Sequence, residues 1–238
     1  MQEKSYKRVL LKLSGEQLAG QYEFGVDPEI AAFLAREVKK ATDAGCQVVM
    51  IVGGGNMVRG ARIAGHGIRR VTADQMGMLS GLINSIALTD IFEDNGVKTR
   101  CLSNIYAQQV AESYSYRLAE KHLQKGRVAI IAGGTARPYV THDTAAVSFA
   151  LELDCQVVLK ATKFDGVYDA DPAVHPTAKK LDEVSFQDAV EDNAIRVMDK
   201  AAIGLAMEQN KPIIVFDVMS ENNLLKIVKG ESVGTLIR

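Results

Sequence analysis

Residues 48–60 read VVMIVGGGNMVRG, an uninterrupted apolar run that breaks into three glycines, an asparagine and an arginine. A run of five apolar residues, rich in β-branched side chains and ended by glycine, is the pattern of a strand covered on both faces in a parallel sheet. The same pattern recurs on either side. Candidate strands are Arg8–Leu13, Gln47–Val52, Arg127–Ala132, Gln156–Lys160 and Pro212–Asp217. Between them lie helical patterns, the clearest from Pro28 to Ala44. There Asp27 suits the N-cap, Pro28 the first turn and Gly45 the left-handed stop, with Ile30, Phe33, Leu34 and Val38 on one side. A second helix is expected from Ala73 to Asn95, capped by Thr72 and apolar around much of its circumference. Others are expected at Ala111–Lys125, Thr144–Leu153, Ser185–Val190 and Lys200–Gln209. Strand–helix alternation of this kind predicts an α/β fold, a mainly parallel sheet with helices on both faces.

The 238 residues are 47% hydrophobic and 24% charged, which favours one large α/β domain over two small ones. A formal net charge of -1 gives no global pull toward nucleic acid or an anionic membrane, so an anionic ligand needs local positive groups. Cys46, Cys101 and Cys155 are odd in number and widely spaced, without disulfide or metal spacing, as suits small buried residues in a reducing compartment. The N-terminal residues lack a signal-peptide pattern and the apolar runs are too short to span a bilayer, so a cytoplasmic location is expected. His66, His122, His142 and His175 show no metal spacing.

Four expected strand ends run into glycine or polar turns: Lys12-Leu13-Ser14-Gly15-Glu16, Gly53-Gly54-Gly55-Asn56, Gly133-Gly134-Thr135 and Lys160-Ala161-Thr162-Lys163. In a parallel sheet the carboxyl ends of these strands share one edge, where ligands of open α/β folds bind. Glycines there let backbone N–H groups approach phosphate oxygens. One such turn is simply a tight connection; four on one edge suit a phosphate-rich ligand. The Walker ending Gly-Lys-Ser/Thr is absent, and Val58 stands where a dinucleotide fingerprint needs its third glycine. Lys12 at a strand end can stabilise charge on a transferring phosphoryl group, though taken alone a surface lysine is commoner. Arg59 carries a fork suited to bidentate phosphate binding, and equally fits a solvated helix. Asp74, Asp143, Asp165 and Asp171 have turn or capping readings beside any contact to sugar or cation.

Taken together, RVLLKLSGE, VVMIVGGGNMVRG, ADQMGMLSGLINSIAL, GGTARPYVTHDTAA, VVLKATKFDGVYDADP and RVMDKAA closely resemble, in order and spacing, the bacterial UMP kinase branch of the amino acid kinase family. The resemblance covers nearly the whole chain. It implies an αβα three-layer sandwich forming a single domain over residues 1–238, with a nucleoside-monophosphate half toward the N-terminus and an ATP half toward the C-terminus. It implies reversible transfer of a phosphoryl group from ATP to UMP, in pyrimidine nucleotide synthesis, by direct in-line displacement. Lys12, Arg59 and Asp143 would be catalytic. ATP would meet Lys12, Leu13, Ser14, Gly15, Gly55, Arg59, Thr162, Tyr168 and Asp171. UMP would meet Gly54, Asp74 and the segment Thr135, Ala136, Arg137, Pro138, Tyr139, Val140, Thr141 and His142. Asp199 resembles a further polar position near the reacting groups. Mg2+ would arrive with ATP and be held mainly by its phosphates, with no all-protein metal site. Relatives are typically homohexamers activated by GTP and inhibited by UTP, and Gly20, Gln21, Tyr22, Glu23, Phe24 and Gly25 resemble a segment linked to GTP. The chain departs from the commoner pattern at Ala136-Arg137, where many relatives have Gly-Asn, and at His142, where threonine is usual. An amino-acid or carbamate kinase, or a non-catalytic nucleotide sensor, are the competing readings.

Overall fold

The computed structural model describes residues 5–58, 67–170, 172, 174–175, 177–192, 195 and 197–238. Arg59 and Asp171 therefore lie outside the described residues. Among those described, one nine-stranded sheet organises the chain. Its strands are β1 (Arg8–Leu13), β2 (Gln47–Val52), β3 (Thr99–Ser103), β4 (Glu112–Ser113), β5 (Val128–Ala132), β6 (Val157–Thr162), β9 (Glu183–Val184), β10 (Ile213–Asp217) and β11 (Thr235–Ile237). Two further short strands, β7 (Val167–Tyr168) and β8 (Lys180–Leu181), form a separate antiparallel pair. The order across the large sheet is β4-β3-β5-β2-β1-β6-β10-β11-β9. Every pairing in it is parallel except β10 with β11.

Alternation along the strands divides the core in two. Val9, Leu11 and Leu13 of β1 point to one face, with Val48, Met50 and Val52 of β2. There they meet α2 (Pro28–Asp43), α3 (Arg70–Asp94) and α8 (Asn223–Val228) through Leu34, Val38, Leu88, Phe92, Leu224 and Ile227. Leu10, Val49 and Ile51 point the other way. They meet α4 (Tyr116–Gln124), α5 (His142–Glu152), α6 (Phe186–Glu191) and α7 (Lys200–Glu208) through residues such as Leu123, Ala146, Phe149 and Ile203. A single turn, α1 (Gly15–Leu18), follows β1. The layering is αβα, as expected. No helix among the described residues is long and apolar enough to cross a membrane.

Helix α2 forms as its sequence dictates. The Asp27 carboxylate accepts from Glu29 N at 2.9 Å and Ile30 N at 3.4 Å, satisfying donors that the first turn leaves free. Other boundaries differ from expectation. Residues 111–115 are not helical: Glu112 and Ser113 pair with Leu102 and Ser103 of β3, and the helix starts only after Ser115, whose hydroxyl accepts from Leu118 N. Helix α3 begins at Arg70, two residues before Thr72. Its Leu79 and Ile83, one turn apart, are about half exposed on the single chain, so its apolar circumference is not wholly covered.

Candidate active site

Strands β5, β2, β1 and β6 are neighbours and all parallel, so the turns that follow them lie on one edge. The four glycine and polar turns noted in the sequence are these turns. They also touch. A Cβ placed on Gly15 would stand 2.4 Å from Gly53 O and 2.8 Å from Gly55 N, so the turn after β1 packs directly on the turn after β2. A Cβ on Gly54 would stand 2.5 Å from Gly77 O and 2.8 Å from Gly81 N, so the same turn rests on the backbone of α3. Only hydrogen fits at either place.

A buried pair of amides holds this junction. Asn56 and Asn84 exchange hydrogen bonds of 2.9 and 2.7 Å, and Asn84 Nδ2 donates to Gly53 O at 2.8 Å. Asn56 Nδ2 also donates to Gly25 O at 2.6 Å, which ties the segment Gly20–Gly25 to the turn. Within that segment Tyr22 and Phe24 expose much of their rings. Ser14 N donates to Gln17 Oε1 at 3.1 Å, fixing the start of α1 beside Lys12.

Between β5 and α5 the chain makes a loop with four left-handed residues, of which Ala136 (φ 56°) and Tyr139 (φ 66°) are not glycine. Such backbone costs free energy and persists where surrounding contacts hold it. Here Tyr139 N donates to Asp74 Oδ2 at 2.9 Å. Arg70 Nε donates to the other Asp74 oxygen at 2.7 Å, and its guanidinium lies 5.4 Å from the centre of the Tyr139 ring. Asp74 thus joins the first turn of α3 to the loop of residues 135–142.

Thr141, not Asp143, caps α5: its Oγ1 accepts from Asp143 N at 3.0 Å and Thr144 N at 3.2 Å. The same hydroxyl donates to Asp199 Oδ2 at 2.5 Å, and Thr144 Oγ1 donates to Asp199 as well. Asp199 in turn caps α7 through Ala202 N at 3.0 Å. One carboxylate therefore links two helix starts.

Freed from capping, the Asp143 carboxylate binds two lysines. Oδ1 pairs with Lys12 Nζ at 2.6 Å and Oδ2 with Lys160 Nζ at 3.0 Å. Burial opposes its ionisation, but the two ammonium groups outweigh burial and hold the carboxyl below its ordinary range. Lys160 also donates to Val197 O, and burial brings its ammonium below the ordinary lysine range despite Asp143. His142 turns inward in the first turn of α5, its buried Nε2 without a hydrogen-bond partner; burial and then the Lys12 charge push it down to about 4. Beyond Asp143 opens a cavity of about 580 Å3 whose walls include Asp143, Lys160, Asp192, Val197, Met198 and Lys200. A larger hollow of about 730 Å3 at the β3–β4 edge, bounded by Thr89, Arg100 and Glu112, shares no lining residue with it.

After β6, Thr162 Oγ1 donates to Phe164 O at 2.7 Å, shaping the turn. Tyr168 OH donates to Asp165 Oδ1 at 2.6 Å, and Lys180 lies 3.3 Å from the same carboxylate. That hydrogen bond, helped by Lys180, holds the Asp165 carboxyl below its ordinary range. Asp165 thus works as a brace of the β7–β8 hairpin.

Lys12, Ser14, Gly15, Gly54, Gly55, Asp143 and His142 are brought together, and Asp74 is tied to Tyr139 of the neighbouring loop. The sequence reading gave Lys160 no role, although a lone lysine inside the apolar strand VVLKAT repeats the signal of Lys12 inside RVLLKL. The chain is similar to the UMP kinase from Bacillus anthracis, with 37% identity over 99% of this chain and 97% of that one and a TM-score of 0.94. It is also similar to the UMP kinase from Ureaplasma parvum (29% identity, 98% and 99% covered, TM-score 0.90). A third likeness is to the uridylate kinase from Archaeoglobus fulgidus (27% identity, 97% and 99% covered, TM-score 0.75). Residues 7–217 match the Amino acid kinase family, and with the αβα layering and the edge of converging turns already described, the chain belongs to that family.

Proposed function

We propose that this chain is a nucleoside monophosphate kinase that transfers the terminal phosphoryl group of ATP to UMP. One observation carries the reading: a fold that matches UMP kinases almost end to end also brings the Lys12 ammonium to the edge where the strand-end turns meet. In this reading the β1 and β2 turns, with Lys12, Leu13, Ser14, Gly15, Gly55 and Arg59, face the transferring phosphates. Gly54, Asp74 and residues 135–142 take UMP, and Thr162, Tyr168 and Asp171 take ATP. The N-terminal half then serves the acceptor and the C-terminal half the donor, within one domain.

The acceptor phosphate is already anionic near neutral pH, so it needs placement and charge shielding more than a strong base. Two anions brought together repel, and Lys12 with the backbone N–H groups of the glycine turns offsets that repulsion. Asp143 holds Lys12 in place and is a weak proton acceptor, because the ammonium groups facing both of its oxygens stabilise the ionised carboxylate. The carboxylates at the site are likewise engaged by lysines, hydroxyls and helix N–H groups, which suits a Mg2+ that arrives on ATP phosphates rather than one caged by protein. Mg2+ bound in this way neutralises charge on the phosphate oxygens. A homohexamer, GTP activation, UTP inhibition and a cytoplasmic setting complete the reading.

A coupled assay for ADP, offering ATP-Mg with UMP, CMP, dUMP, aspartate, glutamate or carbamate, tests the proposal. Turnover with UMP is expected. Turnover with an amino acid or carbamate instead, or tight UMP binding without turnover, overturns it. Lys12→Ala should lower turnover by roughly a hundredfold or more, the cost of losing an electrostatic donor worth about 2.7–4 kcal/mol, while the protein still melts cooperatively.

A further inference from the structure

The β7–β8 hairpin has two residues on each strand and stands apart from the large sheet. Strands paired over so short a length do not hold their shape in water unaided, so the body of the protein has to fix them. Asp165 bonds Tyr168 and Lys180, and Asp169 accepts from Lys179 N at 2.8 Å. These bonds brace the hairpin and do not reach the large sheet. Val167 does reach it, buried in the same core as Val184, Val215 and Ile237. The polar tie is Thr235, the first residue of β11, whose side chain is fully buried. Its Oγ1 accepts from Val167 N at 2.8 Å and donates to Leu181 O. Val167 and Leu181 are register partners, so one hydroxyl spans both strands of the hairpin and fastens them to the sheet.

The contact is close on both sides. A Cβ on Gly166 would stand 2.5 Å from Thr235 Oγ1, so the hairpin backbone lies directly on the hydroxyl. Gly234, at φ 80°, brings the threonine there: a Cβ on it would stand 2.1 Å from Val215 O, and with hydrogen in that place Thr235 pairs with Val215 of β10. Val215 pairs in turn with Lys160 near the end of β6. Side chains paired across a sheet leave it on one face, so the Thr235 hydroxyl sits level with the edge where the strand turns meet. A valine would fill the same space. It would leave Val167 N–H and the Leu181 carbonyl without this partner, and buried backbone groups are costly to leave so. We infer that Thr235 is a positioning residue for the ATP side of the site: its hydroxyl sets the β7–β8 hairpin, and with it Tyr168, against the edge of the sheet. The inference rests on the assignment of Tyr168 to ATP given above and adds to it a residue of the C-terminal strand that acts through the hairpin and touches no nucleotide.

The test is steady-state kinetics on the full chain, with ATP-Mg varied at saturating UMP and the reverse, for Thr235→Val, Thr235→Ser and Tyr168→Ala. Thr235→Val keeps the volume and removes the hydroxyl. Its KM for ATP should rise about tenfold, the scale of leaving buried hydrogen-bond partners unpaired. A loss of binding that ground state and transition state share leaves turnover alone, so kcat should stay within about threefold and the KM for UMP within about twofold. Thr235→Ser returns the hydroxyl and should bring the KM for ATP back to within about twofold of wild type. A threonine that served only the fold would lower the melting temperature and leave both KM values as they were. That result overturns the inference, as does an equal rise for both substrates or a serine variant no better than valine. Should Thr235→Val fail to melt cooperatively, Gly166→Ala makes the same test from the hairpin side, because its methyl pushes the backbone off the hydroxyl. A tenfold rise in the KM for ATP supports the inference there, and an unchanged value overturns it. Tyr168→Ala separates the two readings. An unchanged KM for ATP in that variant strikes at the assignment of Tyr168 to ATP, whereas a rise there beside an unchanged Thr235→Val strikes at Thr235 alone.

Discussion

Gly15→Ala places one methyl group where the β1 and β2 turns touch. The added Cβ would stand 2.4 Å from Gly53 O, 2.5 Å from Asn56 Oδ1 and 2.8 Å from Gly55 N. Ordinary contact begins near 3.4 Å, so the Gly53–Asn56 turn has to withdraw by about 1 Å. Two of the three obstructing atoms are backbone, and the third belongs to an amide already bonded to Asn84 and Gly25, so no rotamer change relieves the clash. Overpacking of this kind costs about 1–3 kcal/mol. For a domain of this size each kcal/mol lowers the melting temperature by about 2–4 °C. If this turn faces the phosphates as proposed, displacing it by about 1 Å should cost turnover about a hundredfold, well beyond what the loss of stability explains at room temperature. The assay is ADP release from ATP-Mg and UMP, run beside a thermal melt. Turnover within about twofold of wild type and an unchanged melt would refute the reasoning, because it would mean that the two turns are not in the contact described.

Asp74→Asn should raise the KM for UMP by about tenfold or more, the worth of a hydrogen bond to a charged group, and leave that for ATP nearly unchanged. Equal shifts in steady-state kinetics with both substrates would contradict the acceptor assignment. Burial pushes His142 down to about 4, so the unfolded chain takes up this proton first as pH falls below about 6.5. Folding stability should therefore drop by about 3 kcal/mol between those two pH values, and His142→Gln should remove that part of the acid sensitivity in urea titrations near pH 7 and pH 4.5. An equal drop in both proteins would place the proton elsewhere. Gly204→Ala fills open space in α7 and should stabilise the fold by about 0.8–1 kcal/mol in the same titrations, with turnover unchanged.

Where local chemistry and tertiary packing agree, the sequence was enough. Strand β1 and strand β2 have the expected bounds because continuous apolar runs ending in glycine have little alternative, and α2 follows its Asp27 and Pro28 signals. Where packing overrides local preference, it was not. Strand β3, with Arg100 inside TRCLS, lacks the apolar run that marks the others, and β11 is three residues paired antiparallel at the far side of the sheet. The residues ahead of α4 look helical, yet Glu112–Ser113 complete the edge beside β3. At the site, the convergence of glycine turns on one edge is readable in the sequence because the carboxyl ends of parallel strands share an edge. Asp143 reads partly as a cap because nothing in the sequence shows that Thr141 does the capping, and Lys160 has no evident role there because its partner sits 17 residues back, at the start of the preceding helix. The reciprocal Asn56–Asn84 bonds join residues 28 positions apart, a pairing that spacing does not announce.

The seam between the proposed acceptor and donor halves falls at β1 and β6, which share an unbroken ladder from Val9–Val157 to Lys12–Lys160. A bilobed kinase can swing its halves about a hinge, but here such a swing would tear hydrogen bonds in the middle of the sheet. On the proposed assignment the floor under both nucleotides is therefore stiff, and substrate capture falls to the loop of residues 135–142 and the β7–β8 hairpin. Selectivity in a molecule so built is a property of its rims, and variants that alter substrate choice should collect there while the strands beneath stay unchanged.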